Sequence, residues 1–166
     1  MRVRLLSGLE KITPYTAIFM LFILIYLILH NWSRWREEHS DSMTCDAIIN
    51  IYKGKQRLSL RLQYAFLGEE GTVNLSGALE MEGEKATQIN RQVFFNYIRV
   101  NDGVYLENKK TAISLLDNSG PNGLDSLLPA FYTHQGGRVN FLVYAQKPGG
   151  YIFVKDFIPA FYCAEK

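Results

Sequence analysis

From Arg57 to Leu67 the chain reads RLSLRLQYAFL, with an apolar side chain at every second position. A period of two places Leu58, Leu60, Leu62, Tyr64 and Phe66 on one face and Arg57, Ser59, Arg61 and Gln63 on the other. That is the pattern of a strand buried on one side and wet on the other. Thr72–Glu82 repeats it with Val73, Leu75, Leu79 and Met81, and Gln88–Asn101 with Ile89, Val93, Phe95 and Tyr97. Gly68-Glu69-Glu70-Gly71 reads as a tight turn and Asn101-Asp102-Gly103 as a hairpin, Asp-Gly tolerating positive φ. Ala47–Tyr52, Val104–Leu116 (with a break near Lys109-Lys110), Arg138–Ala145, Tyr151–Asp156 and Phe157–Cys163 supply the remaining strands. About eight short antiparallel strands at hairpin spacing predict a mainly β fold, a barrel or a sandwich, with a small up-and-down barrel preferred. Gly77 is expected to mark a bulge or bend that helps the sheet close. Asp117–Gly123 is a loop, and Leu124–Phe131 a short helix limited by Pro129. Pro129-Ala130-Phe131-Tyr132 echoes Pro159-Ala160-Phe161-Tyr162, which reads as coincidence.

A second feature lies ahead of the strands. Ile12 to Leu29 is an uncharged run, ITPYTAIFMLFILIYLIL. As a helix it would be about 27 Å long, close to the apolar thickness of a bilayer. Pro14 suits a first helical turn, and Trp32 and Trp35 stand where aromatic rings favour headgroups. The following HNWSRWREEHSDS lacks the small residues of a cleavage site. The run is therefore expected to be an uncleaved signal anchor, with a buried core helix as the alternative. Arg2, Arg4 and Lys11 before it outnumber Arg34 and Arg36 after it, which favours a cytoplasmic N-terminus. The expected organisation is residues 1–11 cytoplasmic, 12–32 a transmembrane helix, 33–44 a juxtamembrane linker and 45–166 the β domain.

Charge and residue types narrow the function classes. The formal net charge is +2, which argues against direct contact with nucleic acid. Two cysteines and three histidines leave no metal or cofactor cluster to expect. His134 belongs to a Gln-Gly-Gly loop, Glu80, Glu82 and Glu84 alternate on a wet face, and no nucleophile elbow or phosphate loop occurs. The chain is not expected to be an enzyme. Cys45 and Cys163 bracket the domain. They are expected to form a disulfide that joins first strand to last in an oxidising compartment, with two separate buried thiols as the alternative. A disulfide closing so long a loop contributes roughly 5 kcal/mol on the chain-entropy view.

Arg91 shares the apolar face with Ile89, Val93, Phe95 and Tyr97. An inward charge must be paired or line a polar cavity, unless the strand end lets it reach water. Tyr64, Phe66, Phe95, Tyr97 and Phe141 are either core or the lining of a site for an apolar ligand. With Arg91 they form the candidate ligand- or partner-facing set.

Several motifs in order carry a resemblance. Thr44-Cys45 opens the domain, Gly77 lies in a strand, and Arg91-x-Val93-Phe94-Phe95-x-Tyr97 follows. Asp117-Asn118, Leu128-Pro129-Ala130-Phe131, Tyr151-Ile152-Phe153 and Phe161-Tyr162-Cys163 complete the series. Together with the anchor, this resembles the FidL-like family of enterobacterial inner-membrane proteins. The resemblance implies a lipocalin-like periplasmic barrel that acts as ToxS and VtrC do, as companion of a ToxR-like membrane-bound transcriptional regulator. It further implies an apolar ligand such as a bile salt, and no catalytic residues. The alternative is a stand-alone anchored envelope protein that binds lipid or ligand or assists assembly.

Overall fold

The computed structural model describes residues 18–31, 42–120 and 123–166. The chain divides into two compact units, Met1–Asp41 and Ser42–Lys166. In the first, residues 18–31 form helix α1, whose large apolar side chains from Ile18 to Leu29 are exposed. No helix among the described residues is long and apolar enough to cross a membrane. The first six residues of the uncharged run, and Trp32 and Trp35, lie outside the described residues.

The second unit is a closed antiparallel barrel in strict up-and-down order. Its strands are β1 (Met43–Lys53), β2 (Gln56–Leu67), β3 (Glu70–Met81), β4 (Thr87–Val100), β5 (Gly103–Ile113), β6 (Arg138–Ala145), β7 (Tyr151–Lys155) and β8 (Ile158–Glu165). β1 returns to β8 through Cys45↔Glu165, Asp46↔Ala164 and Ala47↔Cys163. The alternation in β2, β3 and β4 sets the inside as expected. Leu58, Leu60, Leu62, Tyr64, Phe66, Val73, Leu75, Leu79, Ile89, Val93, Phe95 and Tyr97 are all buried.

Three local expectations are corrected. Gly77 marks no bulge, because β2 and β3 pair without interruption from Gln56↔Met81 to Leu67↔Glu70. Its role is close approach: a Cβ there would lie 2.0 Å from the Ser59 carbonyl oxygen. The break near Lys109-Lys110 is a bulge inside β5, since Phe94 pairs with Lys110 and Phe95 with Asn108, leaving Lys109 extra. The helix begins where Pro129 was expected to limit it. Pro129 is the N-cap of α2 (Ala130–Thr133), and Leu124–Leu128 makes only a turn, closed by the Leu128 N–H on the Leu124 carbonyl. Proline disfavours helical backbone in the residue before it and starts a helix without loss. The hairpin after β4 stands, but Asn101, not glycine, carries the left-handed conformation, with φ 54°. The echoing tetrapeptides differ in structure, one in α2 and one in β8.

Strands β6–β8 are shorter than β1–β5, so part of the barrel is closed by chain outside the sheet. Residues 123–134 fill this place with Leu124, Leu127, Leu128, Phe131 and Tyr132, all buried. The Asn108 amide holds α2 by donating to the Phe131 carbonyl at 2.8 Å.

Candidate functional site

The inward aromatic residues are brought together. Tyr64 stacks on Phe66 at 5.6 Å between ring centroids, on Phe153 at 5.5 Å and on Phe161 at 6.0 Å. Phe95 meets Phe66 edge-on at 5.3 Å, and Tyr97 meets Phe66 at 5.0 Å. Phe141 joins through Phe153 and Phe161. These centroid distances and tilts are those of packed aromatic pairs. Tyr64, Phe66, Phe95, Tyr97 and Phe141 are each buried, so the surface they could offer a ligand is taken up by one another.

Tyr132 of α2 enters this cluster and its hydroxyl hydrogen-bonds that of Tyr64. Burial pushes both phenols upward, so both stay protonated across the physiological range. Sequence reasoning missed Tyr132, because its partner lies 68 residues away and nothing local marks it.

Arg91 stands apart from the aromatic set. It is inward and buried, and it is paired. Its Nε donates to Asp117 Oδ2 at 3.0 Å, and one terminal nitrogen donates to Asp117 Oδ1 at 3.2 Å and to Ser119 Oγ. Both side chains of the pair are 1% exposed. Burial pushes the Asp117 carboxyl up, but hydrogen bonds from Arg91, from the Ser119 hydroxyl and from the Asn90 and Ser119 main-chain N–H groups outweigh it and hold it at about 2. Asn118 Oδ1 also accepts from the Gln88 N–H at 2.7 Å. The loop after β5 is therefore stapled to the start of β4. The parity of Arg91 left open a strand end reaching water, a polar cavity or a paired charge; the structure gives the pair, and nothing in the sequence pointed to Asp117.

Cys45 and Cys163 form a disulfide with Cα atoms 5.3 Å apart. Both are inward and buried. Beside them Asp46 pairs with Arg61 and, at 3.3 Å, with Lys166. The Arg61 hydrogen bond is the main cause that holds the Asp46 carboxyl below its ordinary range. Among the described residues no group of three or more His, Cys, Asp or Glu could hold a metal ion.

The outer surface divides into two sectors. Across β2, β3 and β4 two outward rows are polar, Arg61, Ser76 and Asn90 in one and Gln63, Asn74 and Gln92 in the next, while Leu67, Phe94, Ile98 and Val100 are exposed apolar residues toward one end of the same strands. Across β6, β7 and β8 the outward rows are apolar: Leu142, Val154 and Pro159 in one row, Tyr144, Ile152 and Tyr162 in the next. Ile48, exposed on β1, lies on the far side of Tyr162. The hairpin tip between β7 and β8 adds Phe157, 92% exposed and with φ 65°, in backbone that glycine favours. This sector has no counterpart in the six candidate residues. Its signal was the loss of polar residues at alternate positions after Asn140, where Leu142 and Tyr144 follow.

No curated protein and no solved structure matches the chain. One family model does, over residues 42–163, which takes in the barrel from β1 to the second cysteine. The chain belongs to the family of the YqeJ C-terminal domain.

Proposed function

We propose that the chain is a single-pass inner-membrane protein whose barrel lies in the periplasm and pairs with a ToxR-like membrane-bound transcriptional regulator, stabilising it or sensing an envelope signal with it. The apolar outer sector of β6–β8 carries this reading. A domain surrounded by water gains little from setting exposed Tyr144 and Tyr162 beside half-buried Leu142, Ile152 and Val154 on its outer face unless another surface covers them. Aromatic side chains are the usual anchors of such interfaces. The uncharged run from Ile12 to Leu29 supports the anchor, and the buried disulfide supports an oxidising compartment. The choice of partner rests on the resemblance of the ordered motifs to FidL-like proteins. Tethering both proteins in one membrane raises their effective concentration, so a modest interface suffices. An apolar ligand such as a bile salt is, on this reading, held between the partners, because the inward aromatic residues are already packed on one another. The role is association, not catalysis.

The test is co-purification of the full-length chain with a ToxR-like membrane-bound regulator of the same cell, after crosslinking in intact cells. Wild type is expected to bring the regulator down, and a Tyr144→Arg, Tyr162→Arg double variant, folded by circular dichroism, to lose at least about tenfold of it. Equal recovery with the variant, or no regulator with wild type, overturns the reading in favour of an anchored protein acting alone.

A further inference from the structure

The closure between β1 and β8 is short, and its limit can be followed atom by atom. The Lys166 N–H donates to the Thr44 carbonyl at 3.3 Å, and Asp46 opposes Ala164. Thr44 and Asp46 therefore turn their main-chain groups toward β8. In a strand, alternate residues aim these groups at the same side, so Ile48, Asn50 and Tyr52 aim theirs at the same edge. The β1–β8 register stops at Ala47↔Cys163, a pair held by the ladder bonds on either side of it, so the Ile48 N–H is still taken by Tyr162; beyond it no register pair joins Asn50 or Tyr52 to β8, and among the described residues no loop bond reaches them.

β8 leaves β1 for a local reason. Its pairing with β7 passes from Phe153↔Phe161 to Val154↔Pro159, so Ala160 is a bulged residue. A bulge bends its strand and ends pairing, and Pro159 has no N–H to give. The inward side chains along the opening, Ile49, Ile51 and Phe161, are only partly buried. The result is a slot with an apolar floor and one hydrogen-bonding wall.

Free edges are normally guarded by lysine, proline or a bulge on the edge itself. Ile48–Tyr52 reads IINIY, β-branched and aromatic, with neither charge nor proline. We propose that this edge receives an extended segment of a different polypeptide, which adds to β1 alongside Ile48–Lys53 as an extra strand. The main-chain donors and acceptors of Asn50 and Tyr52, in line with the Ile48 carbonyl, are matched by another main chain and not by a lipid or a small apolar molecule. Charge narrows the occupant further. Lys53 is exposed at the end of the edge, its ammonium donates to the Ser126 carbonyl at 2.9 Å, and it has no carboxylate partner among the described residues. The incoming strand therefore carries alternate apolar residues for the floor and an acidic residue near Lys53. Ile48–Lys53 contains no acid, so the same edge of a second copy does not meet this need. The proposal does not depend on the partner being a membrane-bound regulator.

The experiment uses the full-length chain in detergent and a defined probe, an octapeptide alternating Val and Thr and ending in Glu. A twin methylated on every main-chain nitrogen keeps the side chains and removes the donors. Hydrogen exchange at Asn50 and Tyr52 is expected to be fast alone, slowed at least about tenfold by the probe, and unchanged by the twin. A Lys53→Glu variant is expected to prefer a probe ending in Lys. Equal protection by probe and twin would mean apolar binding without strand addition and overturns the proposal. So does no protection by the probe, or slow exchange without it together with a dimer in sedimentation, which assigns the edge to a second copy.

Discussion

β2, β3 and β4 run 12, 12 and 14 residues and turn rows of Arg, Ser, Gln and Asn toward water, with apolar Leu67, Phe94, Ile98 and Val100 exposed toward one end. β6, β7 and β8 run 8, 5 and 8 residues and turn Leu142, Tyr144, Ile152, Val154 and Tyr162 outward. Both sectors use the same inward chemistry, and Tyr64 stacks directly on Phe153 across the interior. They differ in what holds them. The long strands are paired along nearly their whole length. The short ones depend on a disulfide, a bulge and a segment outside the sheet. The long sector is thus built as a self-sufficient half-shell, and the short one as a surface whose closure and covering come from elsewhere.

The comparison can be broken most severely in the long sector. Gly77→Val places a side chain against main-chain atoms of Ser59 and Leu60, which cannot yield. The expected loss exceeds about 4 kcal/mol, seen as the absence of a cooperative thermal transition. A variant that melts normally would show that the β2–β3 approach is not what the half-shell rests on. In the short sector Cys163→Ser removes the closure. The expected cost is about 3–5 kcal/mol, a fall in Tm of roughly 10 °C or more, with faster exchange in β8 and little change in β3. Uniform acceleration across all strands would mean that the two sectors open as one.

A smaller effect separates them by pH. Asp117 lies at about 2 in the folded chain against an ordinary 3.8. A carboxyl lowered by folding stabilises above its unfolded value, and that contribution disappears as pH falls from about 4 through about 2. It amounts to about 2 kcal/mol. Denaturant titrations between those limits should show wild type losing this share and Asp117→Asn, already less stable, losing almost none. Parallel curves would remove the Arg91 pair as the cause. The smallest change is a gain: Phe157→Gly relieves the left-handed backbone at the β7–β8 tip and is expected to add about 1 kcal/mol. A loss of stability instead would show that the exposed ring packs on its own barrel.

How much of this could be seen in the sequence follows the same division. In β2, β3 and β4 the alternation of Leu58 to Phe66, Val73 to Leu79 and Ile89 to Tyr97 stated both the strands and their inner face, because one side is wet. From β6 onward the wet side is apolar as well, and the period no longer tells inside from outside: Phe141 was placed, but Leu142 and Tyr144 were not seen as a surface. The disulfide was expected, since two bracketing cysteines on neighbouring strands have few other partners. The counter-ion of Arg91 and the hydroxyl partner of Tyr64 were not visible, because each comes from a segment whose place is set by barrel closure. The bulges at Lys109 and Ala160 left no mark either, as register is decided by the neighbouring strand.

The separation of 118 residues between the two joined cysteines also has a meaning in time. Strand β1 emerges first from the ribosome and finds β2 at once, but its second neighbour is the last strand to be made. At synthesis rates of about 5–20 residues per second the wait lasts roughly 6–24 s. Throughout it a β-branched strand stands with one side unsatisfied, which is the condition under which nascent chains aggregate or recruit a holding factor. The order of synthesis thus exposes for seconds, along the whole of β1, what the finished barrel leaves open only beyond Ile48.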